Sequence, residues 1–227
     1  LRNETLPHSF ETFASIKQIE NEELEIKADL VIQSQHENKK TEEIEIFLDY
    51  NSMKGPLTID LSKAHSEKCS TIFTVISKNN LFKSIKELTI KALPEITPEK
   101  FSKKLFESNN LRNIKKLTIK DSSQFTDISC KIISESSNFI SLSELNIINS
   151  GPASNEGLNL LFSCSYLSNL THLKIKNPTD IKEKSLAKDL ALSIHLLNLQ
   201  KLCLAECQLS SQSIKYLFEA NHLLKNL

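Results

Sequence analysis

One pattern governs what this chain can fold into. An apolar-x-x-apolar-x-apolar motif returns at nearly constant spacing: Ile85, Leu88, Ile90; Ile114, Leu117, Ile119; Leu142, Leu145, Ile147; Leu170, Leu173, Ile175; Leu199, Leu202, Leu204. Its starts are 29, 28, 28 and 29 residues apart. Counting back 29 from Ile85 reaches Pro56, with Ile59 and Leu61 in the other two places, and Leu224 and Leu227 begin a further copy. A period of this length means that one supersecondary unit is stacked many times, because no single unit can bury its own apolar face.

Each copy has two halves with different periods. The first alternates apolar and polar residues, which is strand spacing. The second carries apolar residues three and four apart, which is one face of a helix. Those faces read Ile72, Phe73, Ile76; Phe101, Leu105, Phe106; Ile128, Ile132, Ile133; Leu158, Leu161, Phe162; Leu186, Leu190, Ile194; and Ile214, Leu217, Phe218. Start signals agree with them. Thr97-Pro98-Glu99, Ser154-Asn155-Glu156 and Ser210-Ser211 each offer a capping side chain at the head of a helical half. Each unit is therefore a short strand, a turn, a helix and a return.

The run from Leu199 through Leu202, Leu204, Cys207 and Leu209 to Ile214 and Leu217 resembles the leucine-rich repeat consensus. The period and the helical second half are similar to the ribonuclease-inhibitor-like subclass, over roughly residues 56–227. The resemblance implies an α/β leucine-rich repeat solenoid shaped as a horseshoe, with parallel strands on the concave face and helices on the convex face. The bend has a physical reason: strands pack about 4.8 Å apart and helices about 8–10 Å, so the helical ring must be longer. The family places Asn or Cys eight residues after the first apolar position. Here that place holds Ala64, Leu93, Ser122, Ser150, Pro178 and Cys207, so only Cys207 conforms, with Ser122 and Ser150 as partial substitutes. Irregular loops are expected at 149–155 and 177–184.

Residues 1–55 read differently. Phe10, Phe13, Ile16 and Ile19 suggest an amphipathic helix capped by Ser9, and the alternations Leu24 to Ile32 and Ile44 to Leu48 suggest two strands. Such a segment is either an N-terminal capping element that shields the first repeat or a set of degenerate repeats.

Only three glycines occur, Gly55, Gly151 and Gly157. They cannot compose a dinucleotide fingerprint, a P-loop or a nucleophile elbow. Five cysteines without paired short spacing suit reduced thiols and an intracellular, cytoplasmic setting better than a disulfide scaffold. No long apolar run suggests a membrane span. Leu1 to Phe10 shows no basic start followed by an apolar run, although the chain begins at Leu1 rather than Met.

The residues flanking the inward Leu and Ile are expected on the concave face: Thr58, Asp60, Ser62; Glu87, Thr89, Lys91; Lys116, Thr118, Lys120; Glu144, Asn146, Ile148; His172, Lys174, Lys176; and Lys201, Cys203, Ala205. They include six Lys against one Asp and two Glu, a net of +3 on a chain whose formal charge is zero. The candidate partner-binding residues are Lys91, Lys116, Lys120, Ile148, His172, Lys174, Lys176 and Lys201. A solvated polar face is the plain alternative. No aromatic side chain interleaves these lysines, which argues against base stacking and so against nucleic acid. His172 has no Ser or Cys partner with an orienting acid, and Cys203 and Cys207 lack two further ligands for zinc, so neither catalysis, a metal nor a cofactor is expected. The expected function is a non-enzymatic protein-interaction scaffold or structural subunit of a larger complex, binding through the concave face and the solenoid ends, with a protein partner of acidic character. Because relatives of this repeat type include a nuclease inhibitor and a GTPase-activating protein, regulation of an enzyme is one alternative; polyanion binding is the other.

Overall fold

The computed structural model describes residues 15–19, 23–27, 56–61, most of 73–91, residue 103, nearly all of 105–220, and residue 225. Eight strands form one sheet in chain order: β1 (Ser15–Ile19), β2 (Glu23–Lys27), β3 (Leu57–Asp60), β4 (Glu87–Lys91), β5 (Lys116–Lys120), β6 (Glu144–Ile148), β7 (His172–Lys176) and β8 (Lys201–Ala205). β1 and β2 are antiparallel; every later pair is parallel. The described helices include α1 (Asp127–Glu135), α2 (Asn155–Phe162), α3 (Glu183–Leu192) and α4 (Ser211–Glu219). Each packs against the next, as each strand does. The result is an α/β stack compatible with a leucine-rich-repeat-like solenoid.

The repeat pattern dictates the core. In β4, β5 and β7 the middle Leu and Ile point inward and are buried while their neighbours are half-buried, so burial alternates along the strand. Leu88, Leu117, Leu145 and Leu173 align in one row, and Ile90, Ile119, Ile147 and Ile175 in the next. Leu158, Leu161 and Phe162 of α2 and Leu186 and Leu190 of α3 close the core from the helix side. Phe106 and Phe139, from adjacent repeats, meet edge to face with centroids 5.8 Å apart.

The strand-to-helix turn explains the scarcity of glycine. The residue after each of β5 to β8 has positive φ: Asp121 53°, Asn149 47°, Asn177 48° and Glu206 58°. Asp and Asn tolerate this region better than other non-glycine residues. The first three amides still reach the next strand's last carbonyl: Asp121 N to Ile148 O at 2.9 Å, Asn149 N to Lys176 O at 2.9 Å and Asn177 N to Ala205 O at 3.0 Å. No described glycine has positive φ. One position further on, a side chain satisfies the turn backbone. Ser122 Oγ donates to Lys120 O at 3.0 Å, Ser150 Oγ to Ile148 O at 2.8 Å, and Cys207 Sγ to Ala205 O at 3.5 Å. Serine thus carries out the role of the consensus Asn or Cys, whereas Pro178 has no donor to offer.

The return segment has its own lateral ladder. Ser108, Ser136, Cys164 and Ser193 open successive return turns and donate to carbonyls of the preceding repeat: Ser77, Phe106, Ser134 and Phe162 respectively. Asn113, Asn169 and Asn198 donate to Lys83, Ile140 and Ser168 in the same manner. Buried or loop carbonyls that helices and sheet leave open are thereby paired, as they must be.

Four expectations change. Residues 15–19 form strand β1, not the end of a helix; Phe10 and Phe13 lie outside the described residues. Antiparallel pairing with β2 lets Ile16 stand opposite Ile26, which a helix could not do. Second, Leu57 and Ile59, not Ile59 and Leu61, align with Leu88 and Ile90, so that step is 31 residues rather than 29. Third, Ile128 is exposed and the inward residues of α1 are Ser129, Cys130 and Ile133. Fourth, Ile194 follows α3 and is exposed, as are Ile214 and Phe218 on α4. The expected strand at Ile44–Leu48 and the cap at Thr97 lie outside the described residues.

Candidate functional site

The sheet face opposite the helices is built from every second strand residue, so parallel register turns sequence offsets into columns. One column reads Asp60, Lys91, Lys120, Ile148, Lys176, Ala205; the next reads Thr58, Thr89, Thr118, Asn146, Lys174, Cys203; the third reads Glu87, Lys116, Glu144, His172, Lys201. All eight sequence-predicted residues, Lys91, Lys116, Lys120, Ile148, His172, Lys174, Lys176 and Lys201, occupy this one face. Lys201 is exposed and the other seven are half-buried.

Acids temper this row of ammonium groups. Lys91 Nζ lies 3.5 Å from Asp60 Oδ2, a pairing created by the corrected register. Lys120 and Lys91 are direct neighbours, and two such charges about 5 Å apart repel by roughly 0.8 kcal/mol in bulk water. They splay instead, Lys120 reaching Asp121 at 3.9 Å. Lys176 pairs with Glu206 at 3.1 Å, and Ile148 separates it from Lys120. Lys116 bridges Glu87 at 3.9 Å and Glu144 at 3.3 Å. Asp121 and Glu206, the positive-φ turn residues, were missed by counting strand positions alone. Extending the repeat frame one residue past each strand would have found them. With them included, six lysines face five acids.

Glu144 is the best-connected group. Its Oε1 accepts from Asn146 Nδ2 at 2.9 Å, and the same amide donates to Thr118 Oγ1 at 3.1 Å. Partial burial pushes its carboxyl up, but the Asn146 hydrogen bond, Lys116 and the nearby His172 outweigh that and hold it below the usual carboxylate range. His172 Nδ1 meets Thr171 Oγ1 at 2.8 Å, while that hydroxyl donates to Ser143 O at 2.9 Å. The ring therefore donates from Nδ1 and leaves Nε2 available on the face.

The compensation is uneven. Among the described residues, Lys174 and Lys201 have no ion-pair partner, and they sit on adjacent strands beside His172 and Cys203. The far end of the face, toward β7 and β8, is thus cationic with a small, smooth floor of Cys203 and Ala205. Among the described residues no group of three or more His, Cys, Asp or Glu side chains is placed to hold a metal ion. No described helix is long and apolar enough to cross a membrane.

No protein-family model matches the chain, and none of the curated proteins compared with it matches. Among solved structures it is similar to the tropomodulin C-terminal domain from Caenorhabditis elegans, at 16% identity and a TM-score of 0.50, over 72% of this chain and 93% of that one. That likeness supports a leucine-rich-repeat-like fold.

Proposed function

We propose that this chain is a non-enzymatic protein-interaction scaffold or structural subunit, and that it grips an acidic segment of a protein partner with the open sheet face. The observation that carries this reading is the pair of uncompensated ammonium groups, Lys174 and Lys201, on adjacent strands of a face whose other lysines are matched. A preformed sheet loses little conformational entropy on binding, and a few anchors on it can supply most of the affinity. Ile148 and His172 would add apolar contact and a hydrogen bond beside the cations. The resemblance to a tropomodulin domain supports a general protein-binding role. Curvature into a horseshoe, membership of the ribonuclease-inhibitor-like subclass, residence in the cytoplasm, and a division into a unit over 1–55 and repeats over 56–227 belong to the same proposal.

The test is capture of partners by the native chain, compared with a Lys174→Glu/Lys201→Glu variant. The reading predicts a protein with an acidic segment that elutes with rising salt and is lost from the variant. Capture that is indifferent to both would contradict it.

A further inference from the structure

The flank of the stack at the strand starts carries charge of one sign. Each return turn runs into its strand through four residues, 83–86, 112–115, 140–143 and 168–171 in successive repeats, and none of these stretches holds an Asp or Glu. The first two hold four cations, Lys83, Lys86, Arg112 and Lys115, all exposed. They are lateral neighbours. Lys115 N donates to Lys86 O at 2.7 Å, and Asn113, beside Arg112, donates to Lys83 O at 2.9 Å. Among the described residues none of the four has an ion-pair partner. The acids nearest in sequence turn elsewhere: Glu87 to Lys116 on the open face, and Glu107 to a hollow it lines with Ile132 and Glu135 on the helix side. Four like charges are thus clustered on one flank of a chain whose formal charge is zero. In the next repeat Ile140 takes the place of Lys83 and Arg112, and it is 49% exposed. Its lateral neighbours Arg112 and Ser168 are both in place, so that exposure does not come from an end of the stack.

We propose that this flank docks on a membrane surface rich in anionic headgroups, with Lys83, Lys86, Arg112 and Lys115 at the headgroups and Ile140 entering the interface beside them. Cations held side by side repel one another and gain most from a surface that supplies many anions at once. Each Lys or Arg near such a surface contributes roughly fivefold in affinity. An apolar side chain at the boundary of headgroups and acyl chains adds a contribution that salt does not screen. The composition of the flank favours this occupant over other anions. No aromatic residue occurs in the four stretches, and bases need one to stack on. A peptide is held by anchors that fill pockets, whereas all four cations stand exposed. A headgroup surface requires only an acid-free face, several cations and an apolar residue at the same level. This docking uses none of the residues that the open face offers to a protein partner, so it stands apart from that reading.

The experiment uses the intact chain. It should sediment with vesicles of equimolar phosphatidylserine and phosphatidylcholine, not with vesicles of phosphatidylcholine alone, and less as salt rises. Arg112→Glu/Lys115→Glu alters only exposed side chains, so circular dichroism should be unchanged while vesicle affinity falls about tenfold or more. Lys174→Glu/Lys201→Glu, on the open face, should keep most of the binding. The chain has no tryptophan, so Ile140→Trp places a single reporter on the flank. Its emission should shift to the blue on the phosphatidylserine vesicles, whereas that of Leu160→Trp, exposed on α2, should not. Absence of binding to the phosphatidylserine vesicles overturns the proposal, as does equal binding to both kinds. So does an equal loss in the two double variants, or a shift at Leu160→Trp without one at Ile140→Trp.

Discussion

Four thiols of this chain occupy different surroundings, and alkylation should read the difference. Burial pushes the Cys207 thiol up to about 11, with Cys203 and Glu206 nearby adding to the shift. Burial raises Cys130 much further and raises Cys164 as well. Cys203 is only half-buried on the open face. Because the thiolate is the nucleophile, iodoacetamide at neutral pH should label Cys203 first and the other three only after unfolding, which peptide mass spectrometry would show. Glu144 makes a second prediction. Its folded pKa is depressed below the usual 4.5, so its stabilisation is present above that value and is lost as pH falls through the lower, folded pKa. Glu144→Gln should flatten the acid limb of a stability-against-pH profile measured by urea denaturation. Gly157 makes a third. A Cβ there would collide with the Asp127 carboxylate and lie 2.9 Å from the Asp127 Cα. That carboxylate is held by Ser154, whose N and Oγ both donate to it, at 2.6 and 2.8 Å. Gly157→Ala should therefore cost about 1–3 kcal/mol, the usual range for overpacking.

At the scale of elements, α1 offers an internal control. Ile133 is fully buried and Ile128 is exposed on the same helix. Truncation of Ile133 to Ala should cost about 2–5 kcal/mol, and truncation of Ile128 within about 0.5 kcal/mol, by denaturation midpoints. The sequence showed a helix here but not its inward side, because Ile128, Ile132 and Ile133 fit the helical period as well as Cys130 and Ile133 do. Small Ser129 was overlooked as a core residue, yet close approach to the neighbouring repeat selects small side chains. β1 was misread for a related reason. Phe10, Phe13, Ile16 and Ile19 have helical spacing, while Ser15–Ile19 carries no apolar alternation that would signal a strand without the partner β2. Strands β4 to β8 were legible because each repeats an alternation whose phase the next strand confirms.

Across the whole molecule, stability should behave as a chain of nearest-neighbour contacts, since each repeat touches those beside it. The open face was legible as a set of residues because period and alternation together fix which side chains share it. Its charge balance was not, because Asp121 and Glu206 lie one residue beyond the strands and the Asp60–Lys91 pair depends on a 31-residue step. What distinguishes Lys174 and Lys201 is therefore visible only in three dimensions. Lysine acetylation footprinting of the native chain, with and without its captured partner, tests the account most directly. The account predicts strong protection of Lys174 and Lys201 and no change at Lys131 on α1. Protection confined to the helices, with Lys174 and Lys201 still fully reactive, would contradict it.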